Sequence, residues 1–328
     1  MVSGFGLEIG YYSESGSGRD LNEDSFLILT PPAVAPGIEA LLAIADGMGG
    51  HQAGDVASQF VVEKLNDLFT SSEYQNYVVY NPNRPDYYMV VLKEVLERIN
   101  RQLCDLSIKY SELKGMGTTA TVVILARGKI SWGHVGDSRA YLLRRNSIRR
   151  LTKDHTWVAK QVEEGKLTFR EAMHHPWRNV LTQSMGNNLV IEVERGIELI
   201  KPGDTLLLCS DGLTSVVDDT KIQEILLTSA NSQIACERLV ELARKRGGLD
   251  DITVIVARVL NGNAKNNIPG GRVIGPIERK SRAQFSASNR LTSQGSAVSI
   301  SLLVKIVLTL LVVLVILIAI KLLLGAIL

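Results

Sequence analysis

The first 260 residues are punctuated by short apolar runs: "SFLILT" (25–30), "ALLAIAD" (40–46), "TATVVILARG" (119–128), "KISWGHVGDSRAYLLR" (129–144), "DTLLLCSDG" (204–212) and "DITVIVARVL" (251–260). They are rich in Val, Ile, Leu and Thr and are bounded by Gly, Asp or Asn, which predicts strands. Between them lie stretches of helical period, at 53–69, 86–110, 156–164, 168–174, 219–228 and 231–246. In "DYYMVVLKEVLERINRQLC" (86–104) apolar positions recur at helical spacing with charges on the other face. Strands and helices do not alternate regularly, which argues against a doubly wound parallel sheet. The pattern predicts an α+β domain of mostly antiparallel sheets with helices packed outside.

After residue 260 the pattern changes twice. Residues 261–300 are rich in Gly, Asn, Ser and basic side chains without a sustained apolar period, and read as a flexible basic linker. In 301–328 the run "LLVKIVLTLLVVLVILIAIKLLLGAIL" is interrupted only by Lys305, Thr309 and Lys321. A bilayer needs about 20 apolar residues, and lysines near the ends of a span can snorkel. A helix apolar all round fits a soluble core poorly. The expectation is a C-terminal transmembrane helix, a single-pass anchor with the domain of residues 1–260 on the cytoplasmic side of the membrane.

Charge follows the same division. The last 68 residues hold eight Lys/Arg and one acid; of the chain's 36 basic and 34 acidic residues, 28 and 33 lie before Asn261. The basic tail lacks interleaved aromatics and precedes an apolar span, so anionic membrane lipid, and no nucleic acid, is its expected partner. Three widely spaced cysteines, Cys104, Cys209 and Cys236, read as free core thiols of a reducing compartment.

The chemistry lies in acids at the ends of apolar runs. Asp46 ends "ALLAIAD", Asp211 ends "TLLLCSD", Asp137 interrupts "GHVGDSRAYL", Asp250 and Asp251 open the last run, and Glu23 and Asp24 open "SFLILT". Acids at the mouths of buried strands are costly unless paired or ligating a cation, and no equal set of Lys or Arg stands beside them. Oxygen ligands suit Mg²⁺ or Mn²⁺. None of the five histidines falls in an HExxH pattern and no CxxC occurs. A single Asp–Gly is more often a turn than a ligand; the joint pattern points to metal. Gly47 after Asp46 is expected to turn the backbone tightly, so that its carbonyl also faces an ion. "GMGGHQAG" matches neither the P-loop nor the dinucleotide fingerprint.

"RDLNEDSF", "AIADGMGGHQAG", "GMGTTATVV", "WGHVGDSRAYLL", "LTKDHTWV", "HHPWRNVLTQSMG", "LLCSDGL" and "LDDITVIV" stand in the order and spacing of the metal-dependent Ser/Thr protein phosphatases of type 2C, which the chain resembles from Gly6 to Val259, in the bacterial version of the second motif. The resemblance implies a four-layer α-β-β-α sandwich of two antiparallel sheets. It also implies two metal ions, with a third bound more weakly. Asp46 would bridge two ions, Asp211 and Asp250 would complete the first site, Glu23 and the Gly47 carbonyl the second, and Asp137 with Asp211 the third. Asp24 would orient the attacking water and Arg19 would hold substrate phosphate, its planar fork suiting two oxygens. The implied reaction is hydrolysis of phosphoserine and phosphothreonine in proteins by a metal-bridging hydroxide, opposing a cognate Ser/Thr kinase near the membrane. Two positions depart from the family pattern: Met48 stands where eukaryotic relatives place His, and Asp251 where Asn is common. Residues 155–186 resemble the family flap, in which Trp157 and Trp177 either touch substrate or, the preferred reading, only anchor the flap.

Overall fold

A computed structural model describes residues 6–49, 53–71, 86–260 and 271–276. Twelve strands are present among them: β1 (Gly6–Glu14), β2 (Asp24–Leu29), β3 (Ala40–Met48), β4 (Gly117–Thr118), β5 (Ala120–Ala126), β6 (Lys129–Val135), β7 (Arg139–Arg144), β8 (Ser147–Arg150), β9 (Glu194–Leu199), β10 (Thr205–Cys209), β11 (Ile252–Leu260) and β12 (Arg272–Gly275). One sheet has five strands in the order β1-β11-β10-β7-β8. The other has seven, ordered β12-β2-β3-β5-β6-β9, with β4 paired to the end of β3. Every pairing is antiparallel.

The two sheets share one core, and the strand period decides what enters it. Phe26, Ile28, Ala40, Leu42, Ile44, Val123 and Leu125 of one sheet meet Leu142, Leu206, Leu208, Ile255 and Ala257 of the other. The intervening residues face outward and are buried too, because helices cover both outer faces. Leu143, Leu207, Cys209, Val254 and Val256 pack with Ile222, Leu226, Ala235, Leu239 and Val240, from the helices Asp219–Thr228 and Ser232–Lys245. The helices Ala53–Thr70 and Tyr87–Lys109 contact β2, β3 and β6 of the seven-stranded sheet. Burial on both faces explains why "ALLAIA" and "TLLLC" are continuous apolar runs and do not alternate with polar residues. Helix, sheet, sheet and helix make the four layers, and the six expected helices occur within a residue or so of their expected ends.

Three features differ from the expectation. The run "KISWGHVGDSRAYLLR" is two strands in different sheets: β6 pairs with β5 and β9, and β7 with β10 and β8. The chain crosses between sheets at Gly136–Ser138, where Gly136 has φ +111° and a Cβ would lie 2.5 Å from Thr119 Cγ2. β1 was hidden by its mixed composition, "GLEIGYYSE", although it pairs along its whole length with β11. Arg272–Gly275, within the sequence expected to be linker, pairs with β2 as an edge strand, and Val273 packs on the inter-sheet core. All three cysteines are free and buried. No helix among the described residues is long and apolar enough to cross a membrane. The apolar segment 301–328 lies outside the described residues.

Candidate metal centre

The parity that fills the core also delivers the acids. Ala40, Leu42 and Ile44 face inward, so Asp46 continues the same face of β3; Phe26 and Ile28 place Asp24 likewise on β2, directly opposite Asp46 in the register. On the facing sheet Leu206 and Leu208 bring Ser210 to the same mouth, and its hydroxyl donates to Asp24 Oδ2 at 2.8 Å. Asp211 follows at the start of a one-turn helix, Asp211–Thr214, and its carboxyl lies within hydrogen-bonding reach of Asp46. Asp137 sits on the crossover between β6 and β7, and Asp250 precedes β11.

Asp46 is held by its backbone. Its N–H donates to Thr119 Oγ1, and its carbonyl accepts from Thr118 Oγ1 and from the Thr119 N–H, all at 2.9 Å. Thr119 Oγ1 in turn lies 2.8 Å from Ser138 Oγ, next to Asp137. The two threonines of "GMGTT" thus pin the Asp46 backbone, a role sequence reading missed because nothing local links them to Asp46.

Gly47 is not in a turn. It lies within β3, paired with Thr118, and its lack of a side chain answers a close approach: a Cβ there would sit 2.2 Å from Gly54 O and 2.6 Å from Glu23 O. A Cβ at Gly54, in the first turn of the Ala53–Thr70 helix, would lie 2.8 Å from Glu23 Oε1. The glycines therefore let the end of β3, the start of the helix and Glu23 close on one another. The Glu23 carbonyl accepts from Gly47 N–H at 3.1 Å and from Ser58 Oγ at 2.6 Å.

The electrostatics are those of unmatched charge. Burial pushes the Asp24 carboxyl well above the usual range, against hydrogen bonds from Thr253 and Ser210. Burial raises Asp46 as well, reinforced by Asp24, Asp211 and Asp137. Asp137 is raised by burial and by Asp211. Asp211 is raised to about 6 by burial and by Asp250, against partial relief from Arg139 and Arg19. Oδ1 of Asp24 is buried without any hydrogen-bond partner among the described residues. An orphaned carboxylate oxygen within a set of mutually repelling acids is what a bound cation and its water would satisfy. The oxygen donor set fits Mg²⁺ or Mn²⁺.

Glu23 lies at the rim. Burial raises it, and Arg19 draws it back. Arg19 reaches three acids: Asp250 at 2.7 Å, Asp251 at 3.1 Å and Glu23 at 3.6 Å. Burial opposes its charge, but Asp250, Asp251 and Glu23 outweigh burial and hold its pKa above the ordinary arginine value. Every acid expected at the site from sequence thus gathers at this end of the sandwich.

Beside the acids opens a cavity of ≈ 910 Å³, lined by Asp137 and Asp211 together with Arg150, Lys153, Arg178 and Phe169 among others. The flap forms one wall. Trp157, His175 and Trp177 pack together there, with ring centroids 4.9 Å apart for Trp157–His175 and Trp157–Trp177. Trp177 nevertheless remains exposed.

A second cluster, His134, His155 and Glu194, is compact enough for a metal. Four of its six candidate ligand atoms are already in use. His134 Nδ1 lies 2.8 Å from Thr121 Oγ1 and Nε2 3.1 Å from Lys153 O; Glu194 Oε2 accepts from Lys153 N–H, and His155 Nδ1 from Gly136 N–H. Burial keeps His134 neutral, with its pKa lowered to about 3. These groups fasten the 153–155 segment to β6 and β9.

Residues 17–245 match the family model described as Protein phosphatase 2C. The serine/threonine phosphatase stp of Listeria welshimeri is 33% identical over 253 residues, covering 75% of this chain and 93% of that protein. The crystal structure of the Mycobacterium tuberculosis serine/threonine phosphatase PstP/Ppp superposes with a TM-score of 0.67 at 35% identity, over 78% of this chain and 100% of that one. A structure of the PstP catalytic domain in complex with two manganese ions superposes with a TM-score of 0.65 at 33% identity, over 78% of this chain and 100% of that one. With its two antiparallel sheets and a mouth of acids that lack counter-charges, this chain belongs to the protein phosphatase 2C family of metal-dependent Ser/Thr phosphatases.

Proposed function

We propose that the acids at the sandwich mouth hold two divalent cations, and a third more weakly, for the hydrolysis of phosphoserine and phosphothreonine in proteins at or near a membrane. The observation that carries this reading is the set of buried Asp24 and half-buried Asp46, Asp137 and Asp211, all raised in pKa, with one oxygen of Asp24 left unpartnered. Asp46, Asp211 and Asp250 would hold one ion, Asp46, Glu23 and the Gly47 carbonyl another, and Asp137 with Asp211 the third. Bound Mg²⁺ or Mn²⁺ supplies charge neutralisation for phosphate and makes water acidic enough to attack phosphorus near neutral pH.

The chain's own residues do the rest. Asp24 orients the attacking water, its free Oδ1 accepting a hydrogen while Ser210 holds Oδ2. Arg19 takes two oxygens of the substrate phosphate and stabilises the charge that builds on them. Met48 carries no transferable proton, so the leaving alkoxide takes its proton from another group. The Asp24 and Asp46 backbones are fixed by strand pairing, so the site is pre-organised and needs no rearrangement of β2 against β3.

The apolar segment 301–328 anchors the domain, the basic linker lies on anionic lipid, and the enzyme opposes a Ser/Thr kinase acting on the same membrane-near proteins. Two measurements test this. The purified chain is given a phosphothreonine peptide with and without Mn²⁺, and turnover that ignores the metal sinks the metal-centre reading. Membranes from expressing cells are washed at alkaline pH, and release of the chain into the supernatant sinks the anchor.

A further inference from the structure

We propose that Asp251 is a positioning residue: it keeps hold of one edge of Arg19 while Asp250 passes from Arg19 to a cation, so that the other edge is left pointing at phosphate. The inference rests on the reading in which Arg19 binds phosphate and Asp250 ligates metal.

Arg19 has two close carboxylate partners of opposite character. Nη2 meets Asp250 Oδ1 at 2.7 Å, and Nη1 meets Asp251 Oδ2 at 3.1 Å. The Asp250 side chain is 40% exposed, whereas that of Asp251 is 2% exposed. Asp251 is also tied down. Its Oδ1 accepts from Gly16 N–H and its Oδ2 from Glu23 N–H, both at 2.8 Å. Those two donors bracket the 16–23 loop that carries Arg19 and Glu23. The loop lies flat on the 248–251 segment: a Cβ on Gly16 would be 2.3 Å from Leu249 O, and Ser17 N–H reaches Gly248 O at 3.4 Å.

The two acids therefore cannot exchange roles. Asp251 would give up two backbone hydrogen bonds in a buried setting to turn towards a cation, which is costly. Asp250 would give up only the Arg19 edge and the Asp251 N–H, which donates to its Oδ1 at 2.9 Å. A guanidinium presents five N–H donors in a rigid fork, so one edge can stay with Asp251 while the other serves a second anion. In the structure that second anion is Asp250. Once Asp250 turns to metal, Asp251 keeps the charge of Arg19 from following it and keeps its fork in place. An Asn at this position would fill the same space but could accept at only one atom, and would carry no charge to hold the arginine.

The test is a double-mutant cycle on the full chain with Mn²⁺ present. Binding of inorganic phosphate is measured by calorimetry, and kcat and KM with p-nitrophenyl phosphate, for wild type, Asp251→Asn, Arg19→Ala and the double variant. Asp251→Asn is expected to weaken phosphate binding about tenfold, the loss of one charge-assisted bond, and to raise KM far more than it lowers kcat. The double variant is expected to bind phosphate as Arg19→Ala does. Additive losses, or unchanged phosphate affinity in Asp251→Asn, overturn the proposal. Should Asp251→Asn fail to fold by circular dichroism, Arg19→Lys decides: an ammonium lacks the rigid fork that keeps one edge on Asp251 while the other faces phosphate, so phosphate binding should fall close to that of Arg19→Ala, and wild-type affinity overturns the idea. Turnover by the wild type is read separately; its absence would sink the phosphatase reading, while the calorimetry still decides the role of Asp251.

Discussion

Asp154 and Asp204 are buried or half-buried acids, as are Asp24, Asp46, Asp137 and Asp211, but the two groups live in opposite electrical surroundings. Asp154 receives Arg139 through two bonds, at 2.9 and 2.7 Å, and Arg150 at 3.1 Å. Burial alone would raise it, yet Arg139 and Arg150 carry its pKa below the ordinary value. Asp204 is gripped by Arg144 at 2.9 and 2.7 Å and accepts from Lys201 N–H. At the mouth of the sandwich the neighbours of each acid are mainly other acids, and each of the four is raised. Burial of a carboxylate is thus no sign of function by itself. Missing counter-charge is the sign, because a fold tolerates it only where something else supplies the positive charge.

The comparison can be broken at four points. Asp211→Asn should cut Mn²⁺-dependent turnover at least about 100-fold while leaving the circular dichroism spectrum unchanged; near-normal turnover would move the metal elsewhere. Asp154→Ala should do the reverse, costing about 3 kcal/mol of stability because it strands Arg139 beneath the surface. Urea unfolding measures it, and a loss below about 0.5 kcal/mol would show that this pair is no more structural than a surface bridge. Saturating Mn²⁺ should raise stability by about 2.7 kcal/mol at a hundredfold excess over its dissociation constant. The gain should vanish in Asp46→Asn and persist in Asp154→Ala, read as melting temperatures with and without chelator.

The smallest effect concerns pH. The raised acids hold protons that a cation must displace, so metal affinity falls as pH falls through the folded pKa. With Asp211 at about 6, lowering the pH from 7.5 to 5.5 should weaken Mn²⁺ binding about fourfold through that group alone. Calorimetry in buffers of different ionisation enthalpy should show net proton release at pH 6. Affinity that rises on acidification would reverse the assignment.

Much of the site was legible because it lies at the ends of strands whose period is plain. Asp46 and Asp211 close continuous apolar runs, and acids there have no reason to exist in a core. Asp251 stood out only as an odd residue; its two backbone donors, Gly16 and Glu23, lie more than 200 positions away. Thr118 and Thr119 read as ordinary strand residues until β4 met the end of β3. Gly47 was expected to make a turn, since Asp–Gly does so in most settings, but here it makes room for Gly54 and Glu23. The β6–β7 run carried no mark of the switch between sheets beyond Gly136 and Asp137.

The sequence by itself determined which segments are strands and helices, which face of each strand is apolar, and that more acids than bases sit at strand ends. These follow from local period and composition, and each is written within a few consecutive residues. Only the tertiary structure decided which strands lie side by side, which acids acquire an arginine and which are left to repel one another. Coulomb interactions depend on distance in space, and the partners that set the charge of Asp46, Asp154 and Asp251 come from separate strands and loops that folding alone brings within a few ångströms.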